Sequence, residues 1–181
     1  MRVISGSARG TNLESIEGLS TRPTIDRVKE GIFSSIQFLV PGAKVLDLFA
    51  GSGQMGIECI SRGAERAVFV DENKAAADIV AKNIRACKLN ANAKVENMSA
   101  KDFLRKTNEK FDIVFLDPPY NMGILDEIMP KVYQIMNDNG IIIAESESGW
   151  SLKEEIEGLQ QKKQYKYGKV LVTKFLRETD I

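Results

Sequence analysis

Short apolar runs alternate with longer amphipathic stretches from Lys44 to Glu145. The runs have the length of buried strands, and the stretches between them have the spacing of helices with one buried face. Five strands are predicted, at Lys44–Phe49, Ala67–Asp71, Lys94–Asn97, Phe111–Asp117 and Gly140–Glu145. Helices are predicted between them, near Gly53–Arg62, Asn73–Lys88, Ala100–Lys106 and Ile124–Asn137. Such alternation favours an α/β fold with a mostly parallel, doubly wound, Rossmann-like sheet.

The pattern changes after Glu145. A short helical pattern at Leu152–Leu159 precedes two strand-like runs, Lys162–Tyr167 and Val170–Leu176, which are separated by only two residues. Such close spacing predicts an antiparallel C-terminal hairpin. A hairpin at this place is unusual for dehydrogenases and resembles the antiparallel last strand of class I methyltransferases.

The first 40 residues are predicted to form an extension of the same domain. A small hairpin is expected from Arg2–Ser5 and Thr11–Ser15, followed by a helix at Ile25–Leu39 with Thr24 as its N-cap. No linker, repeat or low-complexity tract divides the chain. We therefore predict a single domain over residues 1–181, with residues 1–40 as its N-terminal hairpin and helix extension.

The amino-acid composition excludes several kinds of catalytic site. The 181 residues contain 25 Lys and Arg, 25 Asp and Glu, and no His, so the commonest general base and the usual zinc and non-haem iron ligand are absent. We expect no metal. No apolar segment approaches the length of a membrane span, and the two cysteines lack metal-ligand spacing, which favours buried thiols in a cytoplasmic protein without membrane partners.

A glycine-rich loop follows the first predicted core strand. Asp47–Gly56 contains Gly-x-Gly-x-x-Gly at the start of a helix, and Asp71 follows twenty residues after Gly51. Glycines allow a ligand close to the backbone, and a carboxylate at Asp71 can accept hydrogen bonds from ribose hydroxyls. Asp47 would repel the pyrophosphate of NAD but suits the ammonium and sulfonium of S-adenosylmethionine (SAM).

The tetrapeptide Asp117-Pro118-Pro119-Tyr120 follows the fourth predicted core strand. Prolines fix the backbone and remove N–H donors, so the Asp117 carboxylate and the Pro118 carbonyl can form a rigid pair of acceptors. Such a pair suits an NH₂ group, and Tyr120 offers a ring on which a flat base can stack. This motif predicts methylation of an exocyclic amino group on a nucleic-acid base.

These residues resemble the bacterial 16S ribosomal RNA guanine-N2 methyltransferases of the RsmD type. The resemblance spans Arg2 to about Leu176 and is carried by Arg9-Gly10, Arg22-Pro23-Thr24, Asp26–Glu30, Asp47–Gly56, Asp117–Tyr120 and Tyr167-Gly168-Lys169. It implies a class I methyltransferase fold, SAM as cofactor, and 16S rRNA or the small ribosomal subunit as partner.

The resemblance also implies roles for individual residues. Asp47, Gly51 and Gly53 would hold the methionine end of the cofactor, Asp71 the ribose and Asp102 the adenine amino group, while Phe49, Ala50 and Glu72 complete the expected cofactor site. The target base would meet the four residues Asp117, Pro118, Pro119 and Tyr120. This chain has Asp71 where such enzymes often have Glu, which shortens the reach to the ribose by one methylene.

Basic residues supply candidate RNA contacts despite the zero net charge. We expect Arg9, Arg22, Thr24, Arg27 and Lys169 to bind the substrate. Six basic residues between Gln160 and Arg177 stand without an intervening acid and suit equally a phosphate-binding rim or solvated lysines on a strand edge. Trp150 and Met55 are assigned to packing.

Three alternatives remain open. The acceptor pair would also serve N6-adenine or another exocyclic-amino methylation of DNA or RNA. A non-catalytic assembly factor that binds SAM and RNA is disfavoured by the intact Asp117 and Tyr120. An NAD dehydrogenase is disfavoured because the chain has no His and carries this tetrapeptide.

Overall fold

The computed structural model describes residues 1–15, 26–119, 123–152 and 155–178, with the backbone alone at residues 26 and 27. Within them lie five α-helices: α1 Asp26–Ile36, α2 Gln54–Ser61, α3 Lys74–Ala86, α4 Ala100–Lys106 and α5 Ile124–Gln134. The strands there are β1 Lys44–Asp47, β2 Arg66–Val70, β3 Ala93–Glu96, β4 Phe111–Leu116, β5 Met136–Glu147, β6 Leu159–Tyr167 and β7 Val170–Arg177. A 3₁₀ turn at Asn90–Asn92, which the pattern did not predict, precedes β3.

The strands form one sheet in the order β3-β2-β1-β4-β5-β7-β6. The pairs from β3 to β5 are parallel, and β7 pairs antiparallel with both β5 and β6. The predicted mostly parallel sheet with an antiparallel C-terminal hairpin is therefore confirmed. From β1 the chain proceeds outward through β2 and β3 on one side of the sheet, and then crosses to β4 on the other side of β1. The strand order therefore reverses between β1 and β4, which is where doubly wound folds bind ligands.

Helices cover both faces of the sheet. Alternate strand residues point to opposite faces, so Val45 joins a core formed with α1, α2 and α3, while its neighbour Leu46 joins a second core formed with α4 and α5. Polar caps start two of the helices: Asn73 accepts from Ala75 N at 2.9 Å, and the Ser99 side chain accepts from Asp102 N at 3.1 Å. Both predicted thiols, Cys59 and Cys87, are free and buried.

The N-terminal segment packs on α2 and α3. Its expected hairpin is present as a short antiparallel pair: a bridge joins Arg2 and Asn12, and Val3 N donates to the Thr11 carbonyl at 3.0 Å. The pair is shorter than predicted because Ile4 N and Ser5 N donate instead to Glu58, at 2.8 and 2.9 Å. A Cβ at Gly6, which has φ +84°, would lie 1.7 Å from the Ser61 carbonyl oxygen.

The short helix expected at Leu152–Leu159 is wrong among the described residues: the chain is irregular there until β6 begins at Leu159. The apolar residues that suggested a helix pack against the α4–α5 core from an irregular segment: Leu152, Ile156 and Leu159. Their spacing therefore reflects burial and not a helical period. Helix α5 ends at Gln134, three residues before its predicted end, because β5 already begins at Met136.

Candidate functional site

Two acidic residues meet where the strand order reverses. Asp47 is the last residue of β1, and Asp117 directly follows β4. The two strands pair in parallel, with Asp47 opposite Phe115, so both carboxylates lie at the carboxyl edge of the sheet. Asp47 is 4 % exposed, and its Oδ2 accepts from Gly56 N at 3.1 Å.

Each of the three glycines in the loop motif is required for a different structural reason. Gly51 has φ +56°, and a Cβ there would meet no atom within 4 Å, so its backbone borders open space that a ligand can enter. Gly53 is the left-handed N-cap of α2, with φ 78°. A Cβ at Gly56 would lie 2.3 Å from the Phe69 ring, so this glycine allows α2 to pack closely on β2.

Asp71 follows β2 directly and supports the loop. Its Oδ2 accepts from Gly51 N at 2.8 Å, and its Oδ1 accepts from Asn73 N at 2.9 Å. A carboxylate offers about four lone-pair positions, so these bonds leave capacity for hydroxyl donors. Next to it, Glu72 is exposed, and Asn97 Nδ2 donates to its carbonyl oxygen at 3.1 Å.

A small cavity of about 40 Å³ contains three carboxylates, those of Asp47, Asp117 and Glu145. Phe49 and Ala50 of the glycine loop also line it. Burial, opposed by the Gly56 hydrogen bond and reinforced by Asp71, raises the pKa of Asp47 to about 7. Such a cavity favours a cationic ligand, because a cation stabilises carboxylates that otherwise repel one another.

Asp117 differs from Asp47 in its exposure. Its side chain is exposed to the cleft, yet the surrounding protein limits its hydration, and Glu145 and Asp47 add negative charge; in that order these effects raise its pKa. Water in the open cleft reduces this increase in the pKa of Asp117. A ligand that displaces the water restores the increase, unless the ligand carries positive charge.

A larger cavity of about 320 Å³ shares Glu145 with the small one. Pro118 and Pro119 form one side, and the chain that follows β5, through Trp150, forms another. Trp150 is half-buried, and its ring contacts the Phe175 ring edge-on, with centroids 6.3 Å apart. The predicted packing role of Trp150 is thus accompanied by a place in the cavity wall. Tyr120 lies outside the described residues.

Asp102 lies in the first turn of α4 and is half-buried. Its Oδ2 accepts from Ser99 Oγ at 3.0 Å, and its Oδ1 forms an ion pair with Arg105. The Asp102 carboxylate therefore already has two partners, and an adenine amino group would have to bind it in addition to them.

The expected substrate residues are only partly described. Arg9 is exposed in the N-terminal segment, and Lys169 is exposed in the β6–β7 turn. The Lys169 carbonyl accepts from Ser148 N at 2.9 Å, and Ser148 lines the larger cavity, so this turn borders the site. Arg22 and Thr24 lie outside the described residues, as does the side chain of Arg27.

The C-terminal basic cluster divides into two groups, apart from Lys163, whose Nζ lies over the Tyr165 ring, 4.9 Å from its centroid. Lys162 pairs with Glu178 at 2.8 Å, Lys174 donates to the Ser35 carbonyl, and Arg177 donates to the Met136 carbonyl at 2.8 Å. These three stabilise the fold. Lys166 and Lys169 are exposed, with Lys169 at the cavity edge.

Glu145 is the residue of the site that the sequence patterns did not single out. It ends the predicted strand Gly140–Glu145 and lines both cavities. An acid at the carboxyl end of an otherwise apolar strand was the available signal, but no contiguous motif accompanies it, unlike Asp47 in the glycine loop and Asp117 in the tetrapeptide. In the part of the chain that the structure describes, no group of three or more Cys, Asp or Glu side chains could hold a metal ion. No helix there is long and apolar enough to cross a membrane.

Comparison with known proteins gives consistent results. The family model described as Conserved hypothetical protein 95 matches residues 1–176. YlbH of Bacillus subtilis is 40% identical over 173 residues, which cover 93% of this chain and 94% of YlbH. Ribosomal RNA small subunit methyltransferase D of Escherichia coli is 35% identical over 170 residues, covering 86% of this chain and 83% of that protein. The solved structure of yhhF from Escherichia coli has a TM-score of 0.88 and 32% identity, with 99% of each chain covered.

Proposed function

The chain belongs to the family described as Conserved hypothetical protein 95, and on that premise we propose that it transfers a methyl group from SAM to the exocyclic N2 amino group of a guanine in 16S rRNA. Its relative in Escherichia coli is named for methylation of small-subunit ribosomal RNA. The observation that carries the proposal is the meeting of Asp47, Asp117 and Glu145 around one small cavity, beside a larger cavity walled by Pro118 and Trp150.

The residues at the loop suit SAM. Open space beside Gly51 allows close approach to the backbone, and Asp71 can accept from ribose hydroxyls while it supports the loop. Asp47 suits the cationic methionine end and would repel the pyrophosphate of NAD. Phe49, Ala50, Gly53, Glu72 and Asp102 complete the proposed cofactor site. Bound SAM supplies a methyl group on a sulfonium, whose sulfur leaves as a neutral thioether.

The residues at the end of β4 suit an amino group. An exocyclic amine is a poor nucleophile because its lone pair is delocalised into the ring. Asp117 and the Pro118 carbonyl would accept its two hydrogens, turn the lone pair out of conjugation and stabilise the positive charge that develops on nitrogen. Pro119 keeps this turn rigid, and Tyr120 would stack on the base. The Asp117 carboxylate can accept the proton once the methylated nitrogen is cationic.

The larger cavity suits a base that has left its stack. A base inside a helix cannot reach Asp117, so the target must be unstacked or lie in a loop. The exposed Arg9 and Lys169 would contact the RNA backbone, together with Arg22, Thr24 and Arg27 as the resemblance implies. Such contacts position the RNA, while the cavity selects the base.

The proposal is tested with methyl-labelled SAM and two substrates, naked 16S rRNA and small ribosomal subunits. Digestion and nucleoside mapping should give N2-methylguanosine at one position. N6-methyladenosine as the only product would instead show an adenine methyltransferase. Binding of SAM and RNA without single-turnover transfer to either substrate would show a non-catalytic assembly factor.

A further inference from the structure

Glu145 connects the two parts of the site. Among the described residues it alone lines both cavities: the small one with Asp47 and Asp117, and the larger one with Pro118 and Trp150. Its neighbour Ala144 pairs with Leu116 in the parallel β4–β5 ladder. Glu145, still within β5, and Asp117, just past the end of β4, therefore lie at the same level, with their α-carbons about 5 Å apart by the usual strand spacing.

The side chains of these two residues also interact. Glu145 adds negative charge that raises the pKa of Asp117, second only to the loss of hydration, so their carboxyl groups lie within electrostatic range of each other. Two neighbouring acidic acceptors in the lining of one cavity suit a ligand edge with neighbouring donors. An edge with a single donor beside an acceptor would leave one carboxylate facing a lone pair.

Guanine has the matching edge. Its N2 amino group and its N1–H are adjacent donors on the Watson–Crick side, the side by which enzymes read an unstacked base. Adenine instead has an unprotonated N1 beside its amino group. A carboxylate at that position would attract guanine and repel adenine, although Asp117 and Pro118 could hold the amino group of either.

We propose that Glu145 accepts the N1–H of the target guanine while Asp117 accepts from its N2 amino group, so that Glu145 determines the preference for guanine over adenine. This inference rests on the proposed function, since it names a contact with the same base. A carboxylate has about four lone-pair positions, so Glu145 can keep contacts within the protein and still accept from the base. Removal of the N1–H then leaves a desolvated carboxylate against a ring nitrogen, the kind of mismatch that gives large discrimination.

The test replaces the target guanine by 2-aminopurine, which keeps the amino group at C2 but has an unprotonated N1 and no O6. Synthetic RNA segments carrying either base are ligated into the substrate that the unchanged protein methylates. Single-turnover transfer is measured at saturating SAM and RNA. The unchanged protein should prefer guanine by a factor on the order of 10² or more. E145Q should reduce this preference at least tenfold, because the Gln amide can donate to N1 of 2-aminopurine and its carbonyl can still accept from guanine.

Two further variants separate recognition from structure. E145D keeps a carboxylate and should retain most of the preference, at a lower rate. E157Q changes an exposed glutamate that precedes β6 and lines neither cavity, and it should leave the preference as it is. Thermal unfolding and SAM affinity are measured for every variant, so that a folding defect is recognised. A merely structural role for Glu145 would lower both rates together and leave their ratio unchanged.

The outcomes are distinct. An unchanged guanine-to-2-aminopurine ratio in E145Q overturns the role of Glu145, as does an equal fall of that ratio in E157Q. Failure of the unchanged protein to form N2-methylguanosine overturns the proposed function, and it is visible before any variant is compared.

Discussion

At the scale of single residues, the buried position of Asp47 disfavours the charged form of its carboxyl group. Burial raises its pKa to about 7 in the folded protein, against 3.8 for an unperturbed aspartate, so the folded state binds an extra proton between these pH values. The stability that this proton provides is fully present below about pH 4 and is lost as the pH rises through about 7. Ionised Asp47 thus destabilises the fold above neutral pH, in a position where its charge suits a cationic cofactor.

Asp47→Asn should therefore stabilise the protein at pH 8, by about 2–4 kcal/mol on the free-energy scale of pKa shifts, and change little at pH 4. The Asn carbonyl can still accept from Gly56 N, so the loop should keep its conformation. Affinity for SAM should fall at least tenfold, because the amide does not compensate the cation. Thermal unfolding at both pH values and calorimetry with SAM check this, and a stability gain of the same size at both pH values would contradict it.

Asp117 should act as an acceptor for the amino group. Asp117→Ala should lower single-turnover methyl transfer by a factor on the order of 10²–10³, comparable to the loss of one preorganised polar contact. Asp117→Asn should retain more activity, because its carbonyl can accept one hydrogen bond. SAM affinity should stay near that of the unchanged protein in both. Transfer by Asp117→Ala at the original rate would place the chemistry elsewhere.

At the scale of secondary-structure elements, a buried ionic network fixes the N-terminal segment against α1 and α2. Lys29 is 0% exposed and Glu58 is 1% exposed. Lys29 Nζ lies 3.8 Å from Glu58 Oε2 and donates to the Arg2 carbonyl at 3.0 Å, while Arg62 Nε donates to Glu58 at 2.8 Å. Two elements and the segment that carries Arg9 are thereby held by one carboxylate.

Glu58→Gln should destabilise the fold by about 3–5 kcal/mol, because it leaves the Lys29 charge buried without its anionic partner. Amide hydrogen exchange at residues 4 and 5 should accelerate more than exchange in β4. Glu65→Gln, at an exposed position beside β2, serves as the matched control and should change stability by less than about 0.5 kcal/mol. Equal stability losses in the two variants would show that the buried network has no special role.

The sequence predicted elements well where the hydrophobic period was regular. The five core strands and the helices between them are present with shifts of a few residues at their ends, and the fold class, the family and its methyltransferase activity are confirmed. Prediction failed where tertiary contacts replaced local ones. The N-terminal hairpin is shorter than predicted because Ile4 and Ser5 donate to Glu58, and the described residues of the Leu152–Leu159 segment form no helix. The single-domain assignment and the individual site roles stay predictions.

Glu145 was missed for a different reason. Its importance comes from the pairing of β4 with β5, which puts Ala144 opposite Leu116, and a local pattern does not contain that pairing. Asp47 and Asp117 were found because each belongs to a motif that is contiguous in sequence. The Asp102 assignment came from resemblance alone, and the Arg105 partner of that residue was not foreseen.

At the scale of the whole molecule, equal numbers of acidic and basic residues leave RNA binding to the placement of charge. The antiparallel hairpin brings Lys169 to the carboxyl edge of the sheet, because Val170 pairs with Glu147 at the end of β5. The opposite end of the same hairpin carries Lys162, about 17 Å away along β6 by strand geometry and paired with Glu178. We therefore expect the charge of Lys169, at the carboxyl edge of the sheet, to contribute to RNA affinity. The charge of Lys162, at the opposite end of the hairpin, should not contribute.

Lys169→Ala should weaken RNA binding severalfold and lower the slope of log affinity against log salt by about 1, because one phosphate contact is lost. The side chain is exposed, so thermal stability and SAM affinity should stay unchanged. Lys162→Ala is the matched control: it removes the same charge from the same hairpin at the far edge, and both RNA affinity and salt slope should remain near those of the unchanged protein. Filter binding of the RNA substrate over a series of salt concentrations gives both quantities. Equal slopes for the two variants would show that the RNA does not approach along the edge where β4 and β5 end, and the proposed path of the target base into the larger cavity would then be wrong.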